Sequence, residues 1–258
     1  MNQPNKTLPL WQVLLCGAAI VTLSMGVRHG FGLWLQPITQ AQNWTRENFA
    51  FAMAIQNLTW GFFSIFSGMV ADKFGAFRVI VVCAFLYALG LVGMAYSPTP
   101  MLFTLTAGIL IGAAQAGTTY SVIYGVIGRN VSAERRSWAM GVAAAAGSFG
   151  QFLMVPVEGF LISNYGWQEA LVWLTLALLV AVPLALGLRE PSFAGGNTAV
   201  RDQSIFQALR EAFAYRSFQL LMAGFLSAGF KWFLLPCTCP AFFKTRAYPL
   251  RSRVFLWH

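Results

Sequence analysis

Charged residues are scarce in this sequence. Only 10% of its 258 residues are Asp, Glu, Lys or Arg, and only 8 residues are acidic, whereas soluble domains carry about 25% charged residues. Cysteine is scarce too: Cys16 and Cys83 lie in apolar runs, and Cys237 and Cys239 form an isolated C-x-C pair. No set of His and Cys residues has the spacing of a zinc site. The composition therefore excludes an ordinary soluble domain, and neither a disulfide framework nor a metal centre is expected.

Short catalytic motifs are also missing. The sequence contains no H-E-x-x-H, no phosphate-binding loop, no G-x-S-x-G and no pair of aspartates within the apolar runs. We therefore expect no enzymatic activity and no cofactor. The net charge is +9, but the basic residues are not gathered with aromatic residues into a patch, so no nucleic-acid partner is expected.

Apolar residues are abundant. They make up 57% of the chain and form seven long runs, and a bilayer core about 30 Å thick needs about 20 such residues per helix. The runs lack the two-residue alternation of membrane barrels, so an all-α membrane protein is predicted. The predicted spans cover residues 11–36, 49–71, 77–96, 101–127, 138–162, 167–188 and 218–235. Pro37 is expected to end the first span, because proline cannot continue the helical hydrogen bonds.

The basic residues predict an orientation. With a cytoplasmic N-terminus, the inner segments hold ten Lys and Arg residues and the outer joints hold only Arg46, as the positive-inside rule requires. The predicted domains are a six-helix transmembrane domain at 1–188, a basic cytoplasmic linker at 189–217, and a seventh span at 218–235 that begins a second domain. Residues 236–258 are interpreted as an irregular tail of the kind that a frameshift produces.

An internal repeat relates the first three spans to the next three. The segment Gly68–Gly75 aligns with Gly159–Gly166 at an offset of 91 residues, and the same offset pairs His29 with Tyr120. Three spans separate the copies, so the copies have opposite orientations in the membrane. We therefore predict two inverted three-helix repeats. The charged segment Gly68–Gly75 would lie on the cytoplasmic side of the membrane, and the neutral segment Gly159–Gly166 on the outer side.

Three features together resemble the major facilitator superfamily: the motif G-x-x-x-D-[KR]-x-G-x-[RK] after span 2, the inverted triplets, and the basic linker before a seventh span. The segments Arg28–Gly32 and Gly147–Gln151 are similar to its bacterial monocarboxylate-transporter-like branch. The resemblance implies twelve spans in two domains, of which this chain holds the N-terminal half. Drug antiporters of the superfamily are similar to one another in having an arginine in span 4. Span 4 of this chain has no arginine, so drug export is not expected.

The resemblance also implies a conformational latch at the turn after span 2. Asp72 would accept hydrogen bonds from the opposite domain and face the positive end of one of its helices, while Lys73 and Arg78 add charge contacts. Gly68 would allow close helix approach, and Gly75 would allow the tight turn. A plain solvated turn is the alternative interpretation.

The few polar residues inside the spans are the candidate binding residues. Arg28 is the main candidate, because an arginine in a span needs a wet cavity or a partner and binds carboxylates with two hydrogen bonds; snorkelling to the outer surface is the alternative. His29 is a candidate for substrate binding and proton coupling, or for plain packing. Glu158 is expected to carry a proton, to pair with Arg28, or to be solvated near the outer end of span 5. Further substrate-binding candidates are Gln151 and, with aromatic packing as the alternative, Tyr120 and Tyr124.

The sequence-based hypothesis is a secondary transporter in the inner (plasma) membrane that moves a small organic anion, such as a monocarboxylate, together with a proton by alternating access. The alternative is a truncated, transport-inactive chain that acts at most as a binding or interaction module. The expected partners are the anion, protons and the lipid bilayer, and the sequence does not indicate an oligomeric state.

Overall fold

The computed structural model describes residues 8–190 and, further along, residues 211, 213–217, 219–220 and 223–224. The chain divides into two compact units, Met1–Gly196 and Asn197–His258, and each is described by itself. The described residues of the second unit are helical apart from Tyr215. Most of the predicted seventh span, 218–235, and all of the predicted tail, 236–258, lie outside the described residues.

The described part of the first unit is helical and contains no β-strand. Its elements in chain order are α1 (Leu10–His29), α2 (Phe31–Gln42), α3 (Arg46–Phe74), α4 (Ala76–Ala95), α5 (Pro100–Phe103), a π-helix (Thr104–Leu110), α6 (Ile111–Thr118), α7 (Tyr120–Asn130), α8 (Ala133–Leu179) and α9 (Ala181–Leu186). Span 1 consists of α1 and α2, and span 4 runs from α5 to α7. Five helical segments of the described residues are long and apolar enough to cross a membrane.

The last of these segments, Ala133–Leu186, contains two spans, as the sequence predicts. Its 54 residues would extend about 80 Å as one straight helix, whereas a bilayer core is about 30 Å thick. The backbone leaves helical geometry at Gly166 (φ 79°, ψ 165°). Met154 and Leu171, on either side of that residue, belong to the same buried cluster. The chain therefore turns back at Gly166, and the bundle is a multi-pass arrangement of six spans.

Gly75 and Gly166 have closely similar backbone geometry. Gly75 separates α3 from α4 with φ 91° and ψ 140°, and these two residues are the only glycines of the described part of the chain with positive φ. A residue with a side chain would be strained in this conformation. The two glycines end the two aligned sequence segments, as the predicted repeat of three-helix units requires.

The prediction that Pro37 ends span 1 is wrong. Pro37 lies inside α2, which continues to Gln42. A proline removes one helical hydrogen bond, and a membrane helix tolerates this where its surroundings hold it on both sides. Trp34 and Ile38, which flank the proline, are both buried. The first span is interrupted at Gly30 instead, between α1 and α2.

Buried side chains form two apolar clusters, one toward each end of the bundle. On α1 the first cluster ends at Met25 and the second begins at Val27. Five buried residues with polar groups lie at this level, and we call them the central polar belt: Ser24, Tyr87, Gln115, Thr118 and Thr119. Polar side chains that hydrogen-bond between spans stabilise helix packing inside a membrane. The belt therefore marks the middle of the bundle.

Candidate functional site

Arg28 lies in the last turn of α1, one turn beyond Ser24 of the central polar belt. Its Nη2 atom donates a hydrogen bond to Oδ1 of Asn57 on α3, and its guanidinium carbon lies 4.3 Å from the centre of the Trp60 ring. Asn57 and Trp60 lie about 17 and 21 Å along α3 from its first residue, at a rise of about 1.5 Å per residue. Arg28 is therefore held beside the middle of α3, and the snorkelling interpretation does not fit this position.

Trp60 connects Arg28 to an interruption in span 4. Its Nε1 atom donates to Oγ1 of Thr119 at 3.3 Å, and Thr119 has an extended backbone (φ −115°, ψ −157°) between α6 and α7. The Thr119 hydroxyl in turn donates to the carbonyl oxygen of Gln115 at 2.8 Å. The guanidinium, the aromatic platform and the interrupted helix thus form one connected group.

Two buried polar atoms in this region have no hydrogen-bond partner among the described residues. They are Nε of Arg28 and Oε1 of Gln115, although Nε2 of Gln115 donates to the Tyr87 hydroxyl at 3.0 Å. Buried polar groups are nearly always hydrogen-bonded. One unpaired donor and one unpaired acceptor at the centre of the bundle therefore indicate a place where a ligand or water binds.

His29 and Gln151 meet at a different cavity, between α1 and α8. The cavity has a volume of about 470 Å³ and is lined by His29, Ser148, Gln151, Phe152, Val155 and Pro156. The imidazole of His29, the hydroxyl of Ser148 and the amide of Gln151 therefore provide both donors and acceptors at one cavity. The structure brings together two of the predicted site residues here, without Arg28.

Glu158 is fully buried, which rules out the interpretation that it is solvated at the end of span 5. Its Oε2 atom accepts a hydrogen bond from Nε1 of Trp34 on α2 at 2.8 Å. Its Oε1 atom is buried and has no hydrogen-bond partner among the described residues. Glu158 does not pair with Arg28 in this structure, since Arg28 contacts Asn57 and Trp60 on α3.

Tyr120 and Tyr124 stack on each other in α7, with ring centres 5.4 Å apart. Both pack against the apolar cluster that contains Val21. The Tyr120 hydroxyl contacts α8 at Gly147, where a side-chain methyl group would overlap it. Neither tyrosine lines the cavity of His29 and Gln151. These contacts favour aromatic packing, and a substrate contact of the two tyrosines stays a prediction.

The predicted latch forms an ion-pair network within this same unit. Asp72 pairs with Nη1 of Arg129 on α7, whereas the resemblance placed its partner in the opposite domain. Nε of Arg129 also donates to Oε1 of Glu190 at 3.1 Å, and Asn130 donates to the same oxygen at 2.7 Å. The network thus connects the ends of three spans. A contact of Asp72 with an opposite domain stays a prediction.

The other latch residues differ in their surroundings. Gly75 makes the turn that the sequence predicts for it. A methyl group at Gly68 would contact nothing within 4 Å, so no close helix approach occurs there within the described structure. The ammonium of Lys73 lies 5.5 Å from the centre of the adjacent Phe74 ring. Arg78 is exposed.

Sequence reasoning missed three residues of these groups: Trp34, Trp60 and Gln115. Tryptophan in membrane proteins is enriched at the two membrane surfaces, so its position in the middle of a predicted span is the signal that could have identified Trp60. Trp34 lies two residues from the end of the predicted first span, so the sequence gives no such signal for it. The described residues contain no group of three or more His, Cys, Asp or Glu side chains that could hold a metal ion.

Comparison with protein families and curated sequences gives a consistent result. The family model described as Major Facilitator Superfamily matches residues 14–256. Monocarboxylate transporter 11 of Mus musculus is 25% identical over 87% of this chain and 50% of its own length. Monocarboxylate transporter 13 of Rattus norvegicus is 27% identical over 73% of this chain and 45% of its own length. An uncharacterized transporter of the same superfamily, YcxA of Bacillus subtilis, is 21% identical over 85% of this chain and 54% of its own length.

A solved structure supports the fold. The crystal structure of a bacterial homolog of the human lysosomal transporter Spinster, inward-facing and unoccupied, matches with a TM-score of 0.61 at 20% identity. The match covers 87% of this chain and 52% of that protein. This chain therefore spans about half the length of the relatives that it matches, and the predicted half of a twelve-span fold is confirmed.

Proposed function

Because the chain belongs to the major facilitator superfamily, we propose that it supplies the N-terminal six-span domain of a secondary transporter for a small organic anion, with a proton as the coupling ion. The proposed substrate class is a monocarboxylate, as the names of the mouse and rat relatives suggest. The proposed location is the inner (plasma) membrane with the N-terminus in the cytoplasm, because the inner joints would then hold most of the basic residues.

Arg28 is the observation that carries this proposal. A charged residue inside a span is costly unless it has a partner or a function, and the two neighbours of its guanidinium, Asn57 and Trp60, are both uncharged. Its buried Nε lacks a partner among the described residues. A carboxylate would supply the missing acceptor and the missing negative charge.

The two interrupted helices support the same location. The repeat offset of 91 residues pairs Arg28 with Thr119, so the junction of α1 with α2 at Gly30 lies near the position that corresponds to the break in span 4 at Thr119. Interrupted helices at corresponding positions of repeats are a feature of transporter binding sites. The group of Arg28, Trp60 and Thr119 includes the break in span 4 and lies two residues from the junction of α1 with α2.

Two groups are proposed to carry the proton. Glu158 is a carboxyl buried in the bundle, and His29 is an imidazole exposed at the cavity that it shares with Gln151. Histidine is the side chain that changes charge near neutral pH without special surroundings. Buried acidic groups in spans are a general feature of proton relays. Both groups lie next to Arg28 or on the helix that packs against it.

Uptake into liposomes tests the proposed function. The chain, purified and reconstituted, should take up radiolabelled lactate when the outside is more acidic than the inside. Arg28→Ala should reduce uptake by about 10- to 100-fold, because a charge-assisted hydrogen bond contributes about 1.5–3 kcal/mol. Uptake by Arg28→Lys should lie between that of the unsubstituted chain and that of Arg28→Ala, since lysine keeps the positive charge but not the planar group that makes two hydrogen bonds to a carboxylate.

Arg46→Ala is the matched control, because this exposed arginine lies at the start of α3, away from the site. It should leave uptake unchanged. Unchanged uptake in Arg28→Ala would refute the assigned site, and a chain that neither takes up nor binds lactate would refute the proposed function. Lactate binding without uptake would favour the alternative of a binding module.

A further inference from the structure

Trp34 and Glu158 form a buried pair that connects α2 to α8. Each side chain is 0% exposed, and the indole Nε1 lies 2.8 Å from Oε2. The two residues are 124 positions apart in the sequence. Trp34 therefore fixes the position of a carboxyl group on a distant span.

Gly30 provides the space for this carboxyl group. A Cβ atom at Gly30 would overlap both carboxyl oxygens and the carboxyl carbon of Glu158. The backbone of Gly30 is helical (φ −70°, ψ −10°), so glycine is required here for space and not for its conformational freedom. The carboxyl is thus packed directly against the backbone where α1 meets α2.

The charge of Glu158 would be poorly compensated in this arrangement. Oε2 has one donor, and Oε1 has neither a donor among the described residues nor contact with solvent. The titratable groups nearest to its level on the elements packed against α8 are Arg28 and His29 on α1 and Tyr87 on α4, whereas α2 carries none. The others lie toward the opposite end of the bundle: Cys16 on α1, Arg78 and Cys83 on α4, and Tyr120, Tyr124 and Arg129 on α7. Arg28 is directed to α3, and His29 is exposed. Burying a carboxylate with a single neutral donor costs far more free energy than burying a neutral carboxylic acid in the same place.

We propose that Trp34 is a positioning residue for Glu158, and that the two residues hold α2 against α8 only while Glu158 is protonated. Loss of the proton would leave a charge that the site cannot compensate, so the carboxylate would move toward water and α2 would separate from α8 at Gly30. This inference rests on the proposed function and gives its proton a specific structural effect.

A distance measurement on the whole chain tests the inference. Spin labels at the exposed positions Gln40 on α2 and Ser163 on α8, in a background where the four cysteines are replaced by alanine, report the separation of the two helices in nanodiscs. Raising the pH from 5.5 to 9 should shift the population from a short to a long distance. We expect a change in the population ratio of at least about tenfold, equivalent to about 1.4 kcal/mol.

Four variants separate the contributions. Glu158→Gln cannot lose a proton, so its distances should not depend on pH and should match those of the unsubstituted chain at low pH. Trp34→Phe keeps the ring but removes the N–H, so the long distance should be populated already at low pH. His29→Gln should keep the pH-dependent shift. Glu169→Gln, an exposed carboxyl on α8, should also keep it.

A pH-dependent shift that persists in Glu158→Gln, or an unsubstituted chain with no shift, would overturn the inference. If Glu158→Gln does not fold, Trp34→Phe decides alone, and distances identical to those of the unsubstituted chain at every pH would refute the positioning role. The measurement uses no anion and no transport. A chain that shows the shift but neither takes up nor binds lactate therefore contradicts only the proposed function.

Discussion

Substitution of Gly150 by alanine should destabilise the bundle through one identified contact. Gly150 lies on α8, and a Cβ atom there would overlap the carbonyl oxygen, the Cα and the carbonyl carbon of Thr22 on α1. These are backbone atoms, so no side-chain rotation can relieve the overlap. The Thr22 hydroxyl also donates to the carbonyl of Ala146, one turn away on α8, at 2.9 Å. The two helices must therefore separate to accept the methyl group.

The magnitude follows from two opposing effects. Overpacking of a well-packed interior costs about 1–3 kcal/mol, while alanine stabilises a helix relative to glycine by about 1 kcal/mol. Gly141→Ala is the matched control, because Gly141 lies on the same helix and a methyl group there would contact nothing within 4 Å. The difference in unfolding free energy between the two variants should therefore be about 1–3 kcal/mol, which isolates the overlap.

Unfolding in mixed micelles by increasing sodium dodecyl sulfate, followed by circular dichroism, measures this difference. For a chain of this size each kcal/mol corresponds to about 2–4 °C in melting temperature, so a thermal melt in detergent provides an independent measurement. If Gly150→Ala were as stable as Gly141→Ala, the close approach of α1 to α8 at Thr22 would be incorrect.

Two further predictions use the same unfolding measurement. Glu190→Gln should lower the free energy of unfolding by about 1.5–3 kcal/mol, because this mostly buried carboxylate accepts charge-assisted hydrogen bonds from Arg129. Asp72→Asn should lower it by at most about 1 kcal/mol, because the Asp72 side chain is 65% exposed. A larger loss in Asp72→Asn than in Glu190→Gln would contradict the described network. Gly75→Ala and Gly166→Ala should each lower the free energy of unfolding by about 1–3 kcal/mol, because both glycines have positive φ. In the double variant the two losses of unfolding free energy should add. A double variant that costs much less than this sum would show that the turns are coupled.

The six spans could be predicted from the sequence because membrane thickness imposes the length of each apolar run. The turns at Gly75 and Gly166 could also be predicted, since the repeat places a glycine at the end of both segments. The packing of the Gly30 backbone against the carboxyl of Glu158 could not, because only the folded bundle brings these two residues together.

The candidate site could be predicted only in part. Helical periodicity gives the direction of a side chain relative to its own helix, but not which neighbour it meets. Arg28 and His29 are adjacent in sequence, yet Arg28 contacts α3 while His29 lines a cavity with α8. For the same reason the pairing of Trp34 with Glu158 has no signature in the sequence.

The tight contact between α1 and α8 has a mechanical consequence. The helices touch at Thr22 and Gly150, and again at Gly30 and Glu158, so neither can rotate without the other. Arg28 belongs to one of these helices and Glu158 to the other, so the two side chains move together while Glu158 is protonated and this contact is made. If the chain rocks as a transporter domain, a ligand at Arg28 and a proton at Glu158 would then change their access to the two sides of the membrane in the same step.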